Sequence, residues 1–512
     1  MKHIFTFIGL CTCILVNAQN STDVLRYSID NTQGTARYQS MGGAFGALGG
    51  DLSALQNNPA GSAVFNHSLF TVSGTAYQTD NTSNYFNTTN ESQENSSDIN
   101  QIGGVLILKS SQKSDWKKIA LAINYEVNNN FQNNIYTTGR SNQGIDSYFL
   151  DFAQGVPFGD IQLQDRVVIQ NGEEIIEKEY LEDAYLDIGA NQGFGDQQTF
   201  LGYFGGIIDP VNETDENTDY SSNANYTSVN QQQTKNTLGY NSKFTVNFAS
   251  QYQENLYIGA SVNLHDVLYE EYNQFTETGY NTTSPIQRTT LDSFLRTVGG
   301  GVSLNVGAIA KLNQNVRIGG SYQSPTWYRL TDEFSQRIDS DLADQDISFI
   351  NFNVINLFET YTIKTPSKLT GSLALIFGKE GLLSLDYSRQ DMSQAQLKPL
   401  NDPTFSNENN QISTNLQAVS SLKIGGEYRI SRVSLRAGYR YNQSPYKDRN
   451  IAGNLKGYSA GIGYNFGGSK LDFALNKTEQ DYSEQLFTTG LTTPAMINRI
   501  QTNATLSYTL NF

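Results

Sequence analysis

The sequence predicts an all-β fold: a transmembrane antiparallel β-barrel of about 14 strands in a Gram-negative outer membrane. Three observations predict it. Apolar and polar residues alternate over segments about as long as a tilted transmembrane strand. The connections between these segments are alternately short and long, and Tyr and Phe gather near the segment ends. Barrel strands have one apolar wall toward lipid, one polar wall toward the lumen, and aromatic residues at both interfaces.

The alternation is clearest near the end of the chain. From Leu422 to Ile430 the even positions are apolar or Gly, and from Val433 to Tyr441 the odd positions are. A soluble antiparallel sandwich would also alternate. The length of the segments and their aromatic ends favour the membrane, because strands of soluble proteins are usually shorter.

The same pattern predicts the strand boundaries. Strands are expected at 69–78, 100–109, 117–128, 241–251, 255–272, 291–312, 316–329, 361–377, 381–391, 418–430, 433–443, 455–466, 470–482 and 500–512. Every second connection is short, such as 313–315 and 431–432, which is typical of periplasmic turns. The even number of strands places both termini in the periplasm.

The last strand carries a further signal. Its apolar positions include Tyr508, Leu510 and the last residue, Phe512. This ending resembles the terminal signal of outer-membrane proteins, whose aromatic last residue is read by the outer-membrane insertion machinery. We therefore expect these three residues to serve membrane insertion.

The first 18 residues resemble a secretory signal peptide. Lys2 precedes an apolar run at 4–16 that is too short to span a membrane as a helix, and the mature chain is expected to begin at Gln19. Both cysteines, Cys11 and Cys13, lie in the segment to be removed. A lipoprotein is the less favoured alternative, because the residues before the cysteines make a poor lipobox.

Composition excludes several classes of function for the mature chain. Without cysteine it has no disulfide, thiol nucleophile or thiolate metal site. Its 33 Lys and Arg against 50 Asp and Glu give a formal charge of −17, which argues against nucleic acid as a partner. His67 and His265 stand in no nucleophile or metal motif. We therefore predict no enzyme activity, no catalytic or metal-ligating residue and no cofactor.

The remaining regions are the N-terminal segment and one long insertion. Residues 35–61 are too rich in Gly and Ala for a membrane strand and too apolar for a free tail, so 19–66 is expected to form a plug inside a barrel made by 67–512. The insertion at about 130–240 is expected to form an extracellular cap. It includes a short helix at 146–153 and a charge-rich stretch at 173–179 that we interpret as solvated.

The plug region carries a family resemblance. Gly50-Asp51, then Ser53, then Asn58-Pro59-Ala60-Gly61 follow a glycine-rich stretch, and this order resembles the N-terminal hatch of the FadL family of outer-membrane transporters of long-chain fatty acids and hydrocarbons. The stretches 320–325 and 365–387 resemble later strands of that family. The family's barrel has fourteen strands, as predicted here from the alternation.

The resemblance implies a function and site residues. Hydrophobic small molecules would be captured by the external loops, enter a pocket above the hatch, and leave sideways into membrane lipid when the hatch moves beside a kinked strand. Asp51 and Asn58, Pro59, Ala60 and Gly61 would lie in the hatch, either as part of the gate or as a structural turn. Phe45 and Leu48 would border the ligand pocket or pack within the plug.

A second function stays open. Some barrels that resemble this family transport nothing and act as carriers or subunits of envelope protein complexes in secretion or outer-membrane assembly. Transport predicts a continuous apolar path, whereas a carrier predicts a lumen filled by Tyr, Asn and Arg side chains and an envelope protein as partner. A 22-stranded TonB-dependent receptor would need more chain, and a general porin would not need a hatch.

Overall fold

The computed structural model describes residues 21–29, 31–111, 113–170, 173–343 and 356–512. The predicted signal peptide, 1–18, lies outside these residues. Strands are described at β1 Leu69–Tyr85, β2 Thr88–Lys109, β3 Trp116–Asn130, β4 Asn133–Ser141, β5 Asp165–Gln170, β6 Glu173–Lys178, β7 Ile208–Pro210, β8 Tyr220–Ser222, β9 Val229–Tyr252, β10 Leu256–Thr278, β11 Arg288–Lys311, β12 Val316–Gln323, β13 Trp327–Ser340, β14 Asn356–Leu357, β15 Tyr361–Lys364, β16 Lys368–Phe377, β17 Gly381–Asp391, β18 Gln396–Lys398, β19 Ala418–Ile430, β20 Val433–Asn442, β21 Leu455–Asn465, β22 Ser469–Gln485 and β23 Pro494–Asn511.

The helices are fewer and shorter. They are α1 Ser21–Ser28, α2 Ala36–Ser40, α3 Asp146–Ala153, α4 Leu181–Asn191, α5 Phe194–Phe204 and α6 Pro403–Asn415, with single 3-10 turns at Ser53–Gln56, Pro59–Val64, Phe158–Ile161 and Met392–Gln394. No helix among the described residues is long and apolar enough to cross a membrane.

The described strands form a closed antiparallel barrel of fourteen, which confirms the predicted fold class. Four of its strands are assembled from two consecutive pieces each: β3 with β4, β12 with β13, β15 with β16, and β17 with β18. The barrel closes where β1 pairs with β23, with Leu69 opposite Asn511.

Two differences from the predicted boundaries have physical reasons. The hairpin of β1 and β2 extends to Tyr85 and Thr88, well beyond the predicted ends. Its outer part is polar on both faces, so it has no alternation to read. The predicted strands 316–329 and 361–377 are each interrupted, beside Pro325 and Pro366, because proline donates no hydrogen bond to a β-ladder.

The outer wall is apolar and the inner wall is polar, as a transmembrane barrel requires. Large apolar side chains stay exposed on the outside of most barrel strands; examples are Leu106, Ile123, Val246, Leu264, Leu304, Leu373, Leu385, Ile462 and Leu506. Tyr508, Leu510 and Phe512 also lie on this exposed surface. They lie at the end of the strand that closes the barrel. Their expected role in membrane insertion stays a prediction.

The segment 21–66 lies inside the barrel, and we call its described residues the plug. It contains α1, α2 and two 3-10 turns, and most of its side chains are buried. Glycines of the wall make room for it. A Cβ atom on Gly307 of β11, for example, would lie 2.2 Å from the side-chain oxygen of Asn58. The lumen is therefore filled by protein in this conformation.

The long insertion forms a separate layer at the outer rim. Its helices α3, α4 and α5 bury an apolar core that also includes the outer ends of the barrel strands, with Phe149, Phe200, Leu201, Phe275, Ile338 and Phe487 among its members. The hairpin of β5 and β6 forms its own two-stranded sheet, and its side chains are largely exposed.

Candidate functional site

The Asn58-Pro59-Ala60-Gly61 motif binds the plug to two barrel strands. Asn58 caps the 3-10 turn Pro59–Val64: its Oδ1 accepts a hydrogen bond from the backbone N–H of Ala60 at 3.1 Å. Its Nδ2 donates to the carbonyl oxygens of Gly46, at 2.8 Å, and Ala308 of β11, at 3.0 Å. On β9, Asn247 donates to the carbonyl of Pro59 at 2.9 Å. Every polar atom of the Asn58 side chain is used, so the motif fixes a buried turn against the wall.

Asp51 acts within the plug. Its Oδ1 accepts hydrogen bonds from the Thr35 hydroxyl at 2.7 Å and from the backbone N–H of Ser53 at 3.0 Å. Thr35 in turn caps α2, because its Oγ1 accepts from the backbone N–H of Tyr38 at 3.2 Å. Asp51 therefore ties the start of α2 to the following 3-10 turn.

Phe45 and Leu48 lie in the middle of the plug. Phe45 is completely buried, with its ring centroid 5.5 Å from that of Tyr38. Both residues belong to an apolar cluster that also includes Met41 and Leu382. In this conformation they contact protein, and the ligand-bordering role expected for them stays a prediction.

One side of the wall, β17 to β22, holds the plug through charges that the sequence analysis did not single out. Asp386 of β17 accepts hydrogen bonds from the backbone N–H groups of Phe45 at 3.0 Å and Gly46 at 2.9 Å. It also accepts from Asn57 Nδ2 at 2.8 Å. Asp386 alone therefore fixes two separate turns of the plug.

An ion-pair network on the same side centres on Glu427 of β19. Arg37 of α2 donates to it from Nε at 3.0 Å, and Arg436 of β20 donates at 2.6 Å. Arg436 also contacts Asp472 of β22 at 2.7 Å. Glu427 falls on a polar position of the alternating segment 422–430, so the sequence placed it on the lumen face. We call Asp386, Glu427, Asp472, Arg37 and Arg436 the charged anchor.

The opposite side has an interruption in the wall. The ladder between β2 and β3 ends at the pair Gln101 and Glu126. Just beyond it, β2 has one extra residue relative to β1 near Ile99, and β3 has one relative to β9 at Asn128. Such bulges bend strands and end pairing. We call the interval between residues 98–100 of β2 and 127–130 of β3 the seam.

Amide groups close the seam from inside. Asn100 Nδ2 donates to the carbonyl of Gly34 at 2.9 Å, and Asn31 Nδ2 donates to Asn129 Oδ1 at 2.8 Å. Three amide oxygens here are buried without a hydrogen-bond partner among the described residues: those of Gln33, Asn100 and Asn128. Such atoms usually bind water or a ligand, since an unpaired buried acceptor is costly. Plug residues 31–34 thus lie directly behind the seam.

The upper lumen is apolar and is occupied by α1. Val24, Leu25 and Tyr27 are buried there against a cluster from the wall and from α6, which includes Tyr328, Leu330, Ile363, Leu397, Phe405 and Ile412. His265 lies nearby, bonded to Ser303 and Tyr328 at 3.1 Å each. Among the described residues, no group of His, Cys, Asp and Glu side chains is arranged to hold a metal ion.

Comparison with known proteins identifies the family. Residues 208–509, more than half of the chain, match the model of the family described as outer membrane protein transport protein (OMPP1/FadL/TodX). The chain belongs to this family. It is therefore an outer-membrane protein of the FadL/TodX class, whose members transport hydrophobic compounds. No curated protein sequence matches the chain.

Solved structures agree on the fold of this FadL/TodX-family barrel. It is similar to a FadL homologue of Pseudomonas aeruginosa, with 11% identity and a TM-score of 0.54 over 95% of this chain and 100% of that one. It is also similar to the toluene transporter TodX of Pseudomonas putida, with 14% identity and a TM-score of 0.50 over 95% and 100% of the two chains. At such identities the similarity concerns the fold alone.

Proposed function

We propose that this barrel transports hydrophobic molecules passively across the outer membrane, that the plug is its gate, and that the molecules leave sideways through the seam. The observation that carries the proposal is the coincidence of three features at one height of the wall. The β2–β3 ladder ends, both strands bulge, and plug residues 31–34 lie immediately behind.

The closed lumen defines what has to move. Val24, Leu25 and Tyr27 of α1 fill the apolar space of the upper lumen, and residues 31–34 close the seam. These two elements are adjacent in sequence, so one displacement of 21–34 frees both the apolar space and the exit. Asn129 is their common contact, because its Nδ2 donates to Ile29 at 3.1 Å and its Oδ1 accepts from Asn31.

The charged anchor determines the direction of that movement. Hydrogen bonds that involve an ionised group are about twice as strong as neutral ones. Glu427 makes such a bond to Arg37 of the plug, and the buried carboxyl group of Asp386 accepts three further bonds from Phe45, Gly46 and Asn57. The seam side holds the plug through the amides of Asn100 and Asn129 and through one carboxylate, Glu126, which accepts a bond from Gln56 at 3.2 Å. We therefore expect the plug to remain attached at β17–β22 and to release at β2–β3.

A reversible disulfide tests the gate. The mature chain has no cysteine, so Asn31→Cys with Asn129→Cys introduces one defined pair across the seam. Uptake of radiolabelled 1-decanol and decanoate is measured in cells with the barrel, against cells without it. Oxidation is expected to abolish the barrel-dependent uptake, and reduction is expected to restore it.

The matched control places the disulfide on the anchored side. Ser40→Cys with Ser459→Cys joins α2 to β21, where Ser459 Oγ donates to the Ser40 carbonyl at 3.0 Å. This disulfide is expected to leave uptake unchanged. If the oxidised seam pair transports as well as the reduced one, the plug does not gate release at the seam.

A carrier or subunit of an envelope complex is the second candidate, and the filled lumen favours it. In this conformation the plug and polar wall side chains occupy the lumen among the described residues, as a barrel that transports nothing would require. A native mass spectrum of gently extracted barrel distinguishes the two. Bound apolar molecules support transport, whereas a stoichiometric protein without a small ligand supports the carrier.

A further inference from the structure

The outer ends of β4, β9 and β10 carry a regular patch of polar side chains on the outside of the barrel. Neighbouring side chains on a strand point to opposite faces. Gln231 and Phe275 are buried beneath the cap, so the residues on either side of them face away from the lumen. Six of these outward residues form two rows of three across the ladder, which we call the polar grid: Thr138, Gln232 and Thr276 in one row, and Arg140, Asn230 and Thr278 in the other.

A groove lies over the polar grid. Its volume is about 330 Å³, which is within the range of small-molecule sites, and the six grid residues line it together with Thr88 at the turn of the β1–β2 hairpin. Two hydrogen bonds hold the hairpin in place. The hydroxyl of Tyr85 donates to Gln231 Oε1 at 2.8 Å, and the hydroxyl of Thr138 donates to Asn90 Oδ1 at 3.0 Å. Both sides of the groove are therefore fixed by the fold.

The lining offers neutral hydrogen-bonding groups and one cation. Each side-chain amide of Asn230 and Gln232 has donors and an acceptor, and neither amide has a hydrogen-bond partner among the described residues. Arg140 donates from Nε to Ser228 at 2.7 Å, which orients its two terminal amino groups. Among the described residues no Asp or Glu lines the groove, although the chain contains 50 of them. Hydroxyl groups of a ligand suit the amides, and an anionic group suits Arg140.

The height of the polar grid narrows the class of ligand. On β9, Leu238 is the exposed large apolar side chain nearest the extracellular end, beyond Phe244 and Val246. Gln232 lies six positions further out, which is roughly 20 Å along the strand. The outer leaflet of an outer membrane is made of glycolipid, whose sugars extend outward from the acyl chains. A groove on the outside of the wall at this height lies among those sugars.

We propose that the groove binds an anionic oligosaccharide of the kind carried by the outer-leaflet glycolipid. The sugar hydroxyls exchange hydrogen bonds with Asn230, Gln232 and the grid threonines, and a phosphate or carboxylate on the sugar binds the guanidinium of Arg140. The inference does not depend on the proposed transport, because the site lies outside the lumen. A free oligosaccharide has the same groups, so the test includes both sources.

Three probes separate the sugar from the acyl chains: a rough-type lipopolysaccharide, the phosphorylated core oligosaccharide released from it by mild acid, and its lipid A. Their binding to the full-length barrel is measured in nanodiscs of zwitterionic phospholipid. The native barrel is expected to bind the first two. The double variant Asn230→Ala with Gln232→Ala is expected to weaken their binding at least tenfold.

Removing the phosphates tests the role of Arg140. Arg140→Gln is expected to weaken binding of the phosphorylated oligosaccharide about tenfold and to leave binding of the dephosphorylated one unchanged. A loss of the same size for both forms contradicts the anionic contact.

The next two outward positions of β9 supply the matched control. Thr234 and Asn236 lie on the same face of the strand but do not line the groove. The double variant Thr234→Ala with Asn236→Ala is expected to bind both sugars as the native barrel does. Heat-dependent electrophoretic mobility shows that each variant is a folded barrel.

The outcomes decide both the site and the source of the sugar. When binding is lost only in the grid variants, a tighter glycolipid identifies the membrane as the source, and equal affinities identify a free saccharide. Absence of oligosaccharide binding, or an equal loss in the grid and control variants, overturns the site. Glycolipid binding that lipid A reproduces and that the grid substitutions leave unchanged also overturns it, since the acyl chains then bind the apolar wall alone.

Discussion

The two sides of the lumen wall hold the same plug by different chemistry. On the side of β17 to β22, two buried carboxylates, Asp386 and Glu427, accept hydrogen bonds from backbone N–H groups and from Arg37. On the side of β2 and β3, the plug is held by asparagine amides and by one carboxylate, Glu126, which accepts a bond from Gln56. The amide oxygens of Asn100 and Asn128 have no hydrogen-bond partner among the described residues. On the first side the two carboxylates are paired, as in a protein core. On the second side some buried polar groups are unpaired, as expected of a contact that opens.

The difference follows from the cost of breaking each contact. Removing one member of a buried ion pair leaves an uncompensated charge, whereas losing a neutral hydrogen bond costs about 1 kcal/mol. The plug is therefore expected to detach first from β2 and β3, where less free energy is needed to break its contacts. The comparison predicts two kinds of effect. Substitutions on the side of β17 to β22 change mainly the stability of the barrel, and substitutions at β2 and β3 change mainly hydrogen exchange of the plug and uptake.

The largest effect is expected from Glu427→Gln. This change removes the carboxylate partner of Arg37 and leaves Arg436 with Asp472 alone, and it is expected to lower the free energy of unfolding by about 3–5 kcal/mol. Denaturant unfolding of the reconstituted barrel measures it. Glu479→Gln on the exposed part of β22 is the control, with an expected change within about 0.5 kcal/mol. Equal effects of the two substitutions would mean that the charged anchor does not stabilise the barrel.

Asn58→Ala is expected to have the next largest effect. It removes the cap of the 3-10 turn and the amide donor to the carbonyl oxygens of Gly46 and Ala308. The expected loss of unfolding free energy is about 2 kcal/mol. The same titration measures it, with Asn66→Ala as a control, since Asn66 is exposed at the end of the plug. A loss of uptake without any loss of stability would instead mean that the motif belongs to the gate.

The cap provides a pH-dependent contact. Glu277, at the outer end of β10, accepts hydrogen bonds from the backbone N–H of Ile145 and from Tyr280 and Gln231, and burial raises its pKa to about 7. A raised carboxyl pKa means that the docked cap favours the protonated form. This stabilisation is complete below the normal pKa of 4.5 and is lost as the pH rises toward about 7.

The expected result is a cap that opens more at pH 8 than at pH 5. Asp146 and its donor Tyr226 lie in the same cluster, and the charge of Asp146 opposes ionisation of Glu277. Hydrogen exchange in α3, corrected for its intrinsic pH dependence, is expected to show opening about tenfold more frequent at pH 8. Glu277→Gln removes the titrating group, so its corrected opening is expected to be the same at both pH values. A pH effect that persists in this variant contradicts the assignment.

The smallest effect on stability is expected at the seam. Asn129→Ala removes bonds to Ile29 and Asn31 and is expected to cost about 1 kcal/mol. It is expected to make uptake faster, because a more weakly held plug opens more often. Barrel-dependent uptake of decanoate is the measurement, and Asn128 offers the control, since Asn128→Ala removes no hydrogen bond made by the oxygen of its side chain. Slower uptake in Asn129→Ala would contradict release at the seam.

The barrel could be predicted from the sequence because the alternation that defines each strand lies within that strand. Alternation within segments such as 422–430 places Glu427 on one wall and Tyr428 on the other, without knowledge of any partner strand. The same reasoning fails where both walls are polar. The outer half of β2 was missed for that reason, since nothing in its sequence distinguishes a strand from a loop.

The site depended on contacts that no local pattern contains. Arg37 and Glu427 are 390 positions apart, and Asn100 and Gly34 meet only because β2 passes behind the plug. The motif at Asn58 was visible, but its role depends on the carbonyl of Ala308, which any residue supplies. Similarly, the bulges that end the β2–β3 ladder follow from pairing register, which the sequences of the two strands do not determine.

Hydrogen exchange across the plug tests the central claim most directly. The amides of residues 31–35 behind the seam are compared with those of Phe45 and Gly46, which donate to Asp386. The account predicts that decanoate accelerates exchange at 31–35 and leaves Phe45 and Gly46 protected. Loss of protection at Phe45 and Gly46 first, or no change on either side, would contradict a plug that opens at the seam.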